Sequence, residues 1–363
     1  MIRIFQNSGL TRGYLPRLRT LTRDAVSFRE QRDAFLADGY GAAHILKPVL
    51  NDRPDAFFTN GDDPALQKAW ARENGLKANT SLEDILLAQI EEHRSEVFYN
   101  LDCVTYQSAF LRRLPGSVKR RLSWRAAVSG KIDLTGYDAV LCNFPSFIAR
   151  WTAAGVRAVH FCPSHDPVLD MYAVNEARTI DVLFAGTVSQ HHTDRIRMLG
   201  QVAALAGACN VRYLLTLSRL TRLAGTPAGL IGPLRKYRLP QAVTRIAAPG
   251  VFGRDLYRAL ASAKIVLNVN GLYEIVGRDR GNMRCWEALG AAALMVSDEG
   301  DYPDGMVPGE MFRTFRSVDE VVGIVKEALR DPAGSAAIAR KGHNLVRNRY
   351  SKERQWEDFV ALL

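Results

Sequence analysis

The sequence predicts an α/β protein made of two doubly wound, parallel-sheet domains that face each other across a cleft. Short apolar strands alternate with helices in both halves of the chain, which is the pattern of parallel sheets covered by helices on both faces. The 363 residues are enough for two cores, and 47% are hydrophobic while 24% are charged, as in ordinary globular proteins. Between the halves, two prolines and a loss of periodicity in Phe161-Cys-Pro-Ser-His-Asp-Pro167 predict a connection.

This connection sets the expected domain boundaries. We expect an N-terminal domain over residues 1–163, a linker over 164–178 and a C-terminal domain over 179–349. Residues 350–363 are expected to form a helix that packs back towards the N-terminal domain. Open α/β sheets bind ligands at the carboxyl ends of their strands, so loops that follow strands should line the cleft.

Each half alternates predicted strands with predicted helices. In the N-terminal half the strands are 2–5, 56–59, 96–101, 123–128, 139–142 and 158–161, and the helices are 24–38, 64–74, 81–94 and 146–154. In the C-terminal half the strands are 180–184, 211–216, 265–268, 292–296 and 311–314, and the helices are 193–206, 254–261, 282–289, 318–330, 334–349 and 352–362.

Charge and cysteine content narrow the class of protein. The formal charge of +10 and the pI of about 9.5 favour an anionic partner such as a nucleotide phosphate, an acidic glycan, an anionic bilayer or nucleic acid, without choosing among them. Five cysteines without a Cys-x-x-Cys pair indicate reduced core residues of a cytoplasmic protein, not a disulfide framework or a zinc site. The N-terminus lacks a signal-peptide core, and no run approaches 18 apolar residues.

The stretch from Arg280 to Ser297 carries the strongest functional signal. It reads as a helix with Arg280 and Arg284 at its start, Asn282 between them and Glu287 one turn further on, followed by a buried strand. A helix N-terminus already favours anions, so two arginines there suggest that a phosphate is bound. The alternative is an ordinary i,i+3 pair between Arg284 and Glu287, with Arg280 solvated.

Two loops after predicted strands add candidates for the same site. Gly186 lets the backbone approach a ligand, and Thr187 or Ser189 can donate to a phosphate oxygen, although a glycine in such a loop more often marks only a turn. The loop containing Asn270 and Gly271 ends the strand before the key helix. The sequence has no Gly-x-Gly-x-x-Gly motif and no P-loop lysine, so a hydride enzyme or an ATPase gains no support.

Residues 180–350 resemble the C-terminal domain of GT-B glycosyltransferases, most closely the group named after the spore-maturation protein CgeB. The likeness is carried by Asp181-Val-Leu-Phe-Ala-Gly-Thr, by the helix and strand over 256–268, by Arg280-Gly-Asn-Met-Arg-Cys-Trp-Glu-Ala-Leu-Gly-Ala and by the closing helices over 315–346. The Cys162-Pro-Ser-His-Asp-Pro167 junction is similar to the segment that joins the domains in that group. The resemblance implies two Rossmann-like domains and a nucleotide sugar bound mainly to the second.

The resemblance also implies roles for individual residues. The glutamate that matches Glu287 holds the ribose hydroxyls in related enzymes, and Arg280 and Arg284 match the basic residues that hold the diphosphate. Asp279 matches the first glutamate of the acidic-x7-acidic pattern and is a candidate catalytic residue, together with Arg280. The sequence departs from the pattern twice, because Asp279 is one methylene shorter than glutamate and the usual phosphate-binding lysine is missing.

An inverting enzyme also needs a general base from the first domain, and Asp102 is our first choice because it follows a predicted strand. The other candidates are His44, Asp62, His93 and His165. We expect neither a cofactor nor a metal: no Asp-x-Asp motif stands out, and Asp62-Asp63 reads as a turn and helix cap.

The expected function is transfer of a sugar from a nucleotide sugar to a glycan, a lipid-linked molecule or a protein. A nucleotide-sugar epimerase of the same fold and a non-catalytic nucleotide-sugar or glycan-binding subunit are the alternatives. Only the net charge favours nucleic acid, which we do not expect as a partner. The expected location is cytoplasmic, with peripheral contact to the anionic inner face of a membrane as an option.

Overall fold

The computed structural model describes residues 2–127, 132–189, 192–269 and 277–363, which form two compact units. The first comprises Met1–Pro163 and Lys352–Leu363, and the second comprises Ser164–Ser351. Each unit contains a six-stranded parallel sheet flanked by helices, so the predicted two-domain α/β fold is confirmed. No helix in the described ranges has the length and apolarity needed to cross a bilayer.

The sheet of the first unit has the strand order β2-β1-β3-β4-β5-β6. Its strands are β1 Ile4–Asn7, β2 Ala56–Thr59, β3 Val97–Asn100, β4 Arg120–Trp124, β5 Ala139–Cys142 and β6 Ala158–His160. Its α-helices are Leu15–Leu21, Phe28–Asp38, Lys47–Leu50, Pro64–Glu73, Leu82–Glu92, Ser108–Leu111, Pro145–Ala153 and Lys352–Val360. The order reverses between β1 and β3, so a crevice is expected outside their carboxyl ends.

Both faces of this sheet are buried, as a parallel sheet requires. Alternate residues of a strand belong to different core clusters: Phe98 packs on one face, and Val97 and Tyr99 pack on the other. The C-terminal helix completes the second cluster, since the ring of Phe359 lies 4.9 Å from that of Tyr99 and 6.0 Å from that of Phe161.

The fourth strand was predicted at 123–128 but begins at Arg120, three residues earlier. Charged side chains open it, which is why an apolar pattern missed its start. The backbone N–H of Arg121 donates to Asp138 at 2.7 Å, and its guanidinium pairs with the same carboxylate at 3.0 Å. Residue 128 lies outside the described ranges.

The sheet of the second unit has the order β12-β11-β10-β7-β8-β9. Its strands are β7 Ile180–Val188, β8 Val211–Leu217, β9 Ala247–Pro249, β10 Ala263–Asn268, β11 Leu294–Asp298 and β12 Arg313–Phe315. Its α-helices are Leu169–Ala173, Thr193–Ala203, Arg219–Ala224, Gln241–Ile246, Gly253–Ala261, Met283–Gly290, Val321–Arg330 and Pro332–Arg349. Counted from its own first strand, this is the 3-2-1-4-5-6 order of a Rossmann domain, with the switch point between β7 and β10.

Residues 164–178, expected as a linker, belong to the second unit and include the helix Leu169–Ala173. Asp166 accepts a hydrogen bond of 2.9 Å from the hydroxyl of Tyr257, and both side chains are buried. Pro163 ends the N-terminal segment of the first unit, and Pro167 lies in an irregular but packed segment of the second.

Candidate functional site

The switch point of the second sheet lies where β7 and β10 run side by side, with Ile265 in register with Val182. The helix Thr193–Ala203 comes after β7, and the helix Met283–Gly290 is the first described helix after β10. The carboxyl end of this strand pair is the position where open α/β sheets bind ligands.

Arg284 and Glu287 form an ion pair in the Met283–Gly290 helix. The Nη1 atom of Arg284 lies 2.6 Å from the Oε2 atom of Glu287, and their side chains are 15% and 19% exposed. The Nη2 atom of Arg284 donates to the carbonyl of Ala185 at 3.0 Å, which joins the helix to β7. Burial raises the pKa of the Glu287 carboxyl while Arg284 lowers it. A half-buried ion pair thus lies at the carboxyl end of β7 and β10, where the nucleotide-sugar donor is predicted to bind.

The start of this helix is fixed by a buried amide network. Asn282 is the N-cap residue, and its Nδ2 atom donates to the Oδ1 atom of Asn268, at the end of β10, at 2.9 Å. Asn268 in turn donates to the hydroxyl of Ser297 on β11 at 3.1 Å. Because the Asn282 side chain makes no cap bond to the helix, the cap is positioned by its neighbouring strands.

Arg280 was predicted at the start of this helix, but this is wrong because the helix begins at Met283. Arg280 lies in the preceding segment, where it pairs with Asp298 at the end of β11, and their side chains are 8% and 5% exposed. Its Nη1 atom also donates to the carbonyls of Gly277 and Asp279 at 2.9 and 3.0 Å. These contacts favour a positioning role, while contact with a diphosphate stays a prediction.

Asp279 also precedes the helix, so helical periodicity does not relate it to Glu287. Its backbone forms an isolated parallel bridge with Asp301, and the flanking backbone bonds Arg280 N–H to Asp301 O and Asp301 N–H to Arg278 O are both 2.8 Å long. The residue is half-buried beside the carboxyl end of β11. Its catalytic role stays a prediction.

The predicted glycine loop is part of a strand, because β7 continues to Val188. Gly186 pairs with Leu215 of β8, and only Ser189 lies beyond the strand. The N–H of Ser189 donates to the Nδ1 atom of His192 at 3.2 Å. The long run of β-forming residues extends the strand through the glycine, so Gly186 and Thr187 belong to the end of β7. Asn270 and Gly271 lie outside the described residues.

Arg195, in the first turn of the Thr193–Ala203 helix, was missed by the sequence analysis. Its guanidinium donates to the carbonyl of Thr187 at the end of β7 and to that of Val269 just after β10, both at 2.6 Å. It also lies 5.7 Å from the centroid of the Phe184 ring. A cation therefore bridges the two strand ends at the switch point. The sequence signal that could have indicated this residue is a basic side chain that directly follows a strand and its loop.

The switch point of the first unit carries carboxylates. Asp62 follows β2 and Asp102 follows β3, on either side of the loop after β1. Leu10 N–H in that loop donates to the Oδ2 atom of Asp62 at 2.9 Å. A Cβ atom on Gly9 would lie 3.1 Å from the Oδ2 atom of Asp102, so the missing side chain lets the loop approach this carboxylate.

Asp62 lies in the turn before the Pro64–Glu73 helix, so Asp62-Asp63 forms a turn and helix cap as the sequence predicted. Asp63 is the N-cap residue, and it accepts from Ala65 N–H at 3.1 Å. The pKa of Asp62 is raised to about 6, mainly by burial; the Leu10 N–H opposes the increase, and the charges of Asp102 and Asp63 add to it. The Oδ1 atom of Asp62 is buried and has no hydrogen-bond partner among the described residues. Such a carboxylate is a better proton acceptor near neutral pH than an ordinary aspartate.

The three histidine candidates are held elsewhere. Burial and the neighbouring Lys352 lower the pKa of His44 to about 3. His93 contacts Ser95, which precedes β3 and so lies at the amino end of the sheet. His165 is 2.8 Å from Asp170, and burial lowers its pKa although Asp170 opposes this. In the described part of the chain, no group of three or more His, Cys, Asp and Glu is arranged to hold a metal ion.

The comparisons with known proteins agree with this geometry. Residues 213–361, which include the Met283–Gly290 helix, match a family model described as "Glycosyl transferase-like". No curated protein matched the chain.

Solved structures match along the whole chain. The Anabaena protein HepE in complex with UDP-glucose is 12% identical, with a TM-score of 0.59 over 100% of this chain and 99% of that chain. AviGT4, a glycosyltransferase involved in avilamycin A biosynthesis, is 17% identical, with a TM-score of 0.55 over 99% and 96%. The sucrose-phosphate synthase of Thermosynechococcus elongatus is 12% identical, with a TM-score of 0.52 over 99% and 98%.

These likenesses define the class of protein: the chain has the GT-B fold. The family match adds that residues 213–361 are similar to glycosyl transferase-like proteins, which agrees with the resemblance at that level. Membership of the CgeB-like group stays a prediction.

Proposed function

We propose that the chain is a metal-independent glycosyltransferase that moves a sugar from a nucleotide-sugar donor to a glycan, a lipid-linked molecule or a protein. The observation that carries this proposal is the Arg284–Glu287 pair at the switch point of the second sheet, inside the span that matches the glycosyl transferase-like family. HepE, a protein of similar fold, was solved with UDP-glucose, which supports a nucleotide-sugar donor.

In this proposal the donor lies at the carboxyl ends of β7 and β10. Glu287 accepts from the ribose hydroxyls, and Arg284 stabilises the diphosphate when the bond between the anomeric carbon and the phosphate oxygen breaks. One well-placed donor to a developing anion contributes about 2.7–4 kcal/mol in other enzymes. Arg195, which already bridges the two strand ends, adds a second positive charge at the same edge.

The carboxylates of the first unit supply the proton acceptor for an inverting transfer. As the acceptor oxygen forms its bond to the anomeric carbon, its proton passes to Asp62 and the nucleoside diphosphate leaves. We prefer Asp62 to Asp102 because burial raises its pKa to about 6 and one of its oxygens is buried without a partner among the described residues. Asp102 then acts on Asp62 through its charge.

Thermal-shift measurements with UDP, GDP, CMP and dTDP test the donor site. A nucleotide present at a hundred times its Kd stabilises the protein by about 2.7 kcal/mol. The stabilising base then selects the nucleotide sugars for an assay of nucleoside diphosphate release. No stabilisation by any of the four would contradict the proposal. Conversion of the donor to an epimer without an acceptor would favour the epimerase, and binding without turnover of any donor would favour the non-catalytic subunit.

A further inference from the structure

One stretch of the second unit lacks acidic residues entirely. From Arg195 to Arg254 the sequence has ten Lys and Arg and no Asp or Glu. At the average of the chain, which has 38 acidic residues in 363, sixty residues would hold about six. Only the two ends of the stretch have acidic neighbours in sequence, where Arg197 pairs with Asp194 and Arg254 precedes Asp255, so its middle can present an unneutralised positive surface.

The middle of this stretch forms one compact patch, which we call the 219–238 patch. It consists of the helix Arg219–Ala224 and the 3₁₀ turns Pro227–Leu230 and Gly232–Tyr237, which contact one another. Its cations Arg219, Arg222, Arg235, Lys236 and Arg238 are all exposed. None of the five forms an ion pair with a carboxylate of the described residues.

The same patch exposes large apolar side chains. Leu230 and Ile231 are 56% and 78% exposed at the junction of the two 3₁₀ turns, and Leu220 and Leu223 are 37% and 43% exposed on the helix. Exposed cations alone, or scattered exposed apolar residues alone, are ordinary on the surface of a soluble protein. Their combination in one small patch is typical of surfaces that lie at a bilayer interface, with cations on headgroups and aliphatic chains below them.

The patch adjoins the candidate donor edge. It follows the carboxyl end of β8, and Ser218 N–H donates to the carbonyl of Val188, the last residue of β7, at 3.2 Å. A surface held here by a membrane would therefore place the switch point of β7 and β10 close to the headgroups.

We propose that the 219–238 patch is a membrane-contact surface that binds anionic phospholipid, with its Arg and Lys side chains on the headgroups and Leu230 and Ile231 inserted at the interface. Nucleic acid fits the patch less well, because Tyr237 is the aromatic residue available for stacking and it is half-buried. The proposal does not depend on sugar transfer, so it can fail while the proposed function stands.

Vesicle co-sedimentation of the full chain tests the proposal. We expect binding to phosphatidylcholine vesicles that contain phosphatidylglycerol, weak binding to phosphatidylcholine alone, and weaker binding at high salt. In the Arg235→Gln/Lys236→Gln/Arg238→Gln variant the affinity for anionic vesicles should fall about a hundredfold, from about fivefold for each cation. The matched control, Arg12→Gln/Arg23→Gln/Lys77→Gln, removes three exposed cations of the first unit and the same charge. It should bind as the parent does.

A second variant tests the apolar part. Leu230→Ser/Ile231→Ser should weaken binding at high salt as well as at low salt, because insertion is not screened, whereas the control Val26→Ser, at a side chain 71% exposed, should not. Circular dichroism melting checks that each variant is folded. Equal losses in the two triple variants would overturn the proposal, since net charge alone would explain binding. Equal binding to neutral vesicles, or stronger binding of the patch to RNA than to lipid, would also overturn it.

Discussion

The two sheets place opposite charges at equivalent positions. In the first unit the switch point of β1 and β3 carries Asp62 and Asp102, and the charges that act on Asp62 are carboxylates. In the second unit the switch point of β7 and β10 carries Arg284 and Arg195. One edge thus carries carboxylates and the other carries guanidinium groups, although the two folds are built alike.

The two edges also differ in how their charges are satisfied. Arg284 is paired with Glu287 and with the carbonyl of Ala185, so its charge is already satisfied within the second unit. One buried oxygen of Asp62 has no hydrogen-bond partner among the described residues, and burial raises the pKa of this carboxyl. Functional sites often retain such unfavourable groups because their reactivity depends on them.

Replacing Asp62 should have the largest effect. In Asp62→Asn we expect kcat to fall between about a hundredfold and ten-thousandfold, since an amide cannot accept the proton. The affinity for nucleotide should not change, because the donor residues belong to the other unit. The pH profile of the remaining activity should lose its acidic limb near pH 6. An unchanged kcat would show that a residue other than Asp62 is the general base, and Asp102→Asn is the next variant to measure.

Breaking the Arg284–Glu287 pair should have the second-largest effect. In Glu287→Ala or Arg284→Ala we expect the nucleotide Kd to rise about a hundredfold, because truncation leaves a partly buried charge without its partner and removes a ligand contact. The control is Asp255→Ala, which removes the exposed i,i+3 pair with Arg258 in the same unit. Isothermal titration with the stabilising nucleotide measures both. Equal affinity in parent and variants would remove this pair from the donor site.

Glu287 and Arg284 show how much of the candidate site can be predicted from the sequence. The helix, its N-terminal arginine and the i,i+3 partner are local features, so spacing and a family resemblance predicted them. The partner of Arg280 is Asp298, on a strand eighteen residues later, and no local pattern indicates that contact. For the same reason the burial of Asp62, which depends on a loop 52 residues away in sequence, was not predicted.

Arg195 should matter less than either pair. In Arg195→Gln we expect the nucleotide Kd to rise about tenfold, because one partly shielded cation is lost while a donor to the two carbonyls is retained. The Tm should change little for that reason. The exposed Arg197, two residues further along the same helix, provides the control Arg197→Gln. If both variants bind alike, the bridge across the strand ends is structural only.

The smallest effect should be a gain in stability when the carboxylate of the first edge is removed. The folded-state pKa of Asp62 is raised, so the folded protein holds its proton up to about pH 6 while the unfolded chain releases it at lower pH. Stability therefore falls as the pH rises from about 4 to 6, and the loss persists at pH 7. Asp62→Asn removes this ionisation and should raise the free energy of unfolding at pH 7 by about 1 kcal/mol, discounted because the carboxyl is partly exposed. At pH 4 the two proteins should unfold alike in urea. A variant that is less stable at pH 7 would show that Asp62 holds the loop after β1 in place, and the contrast between a strained edge and a satisfied edge would then fail.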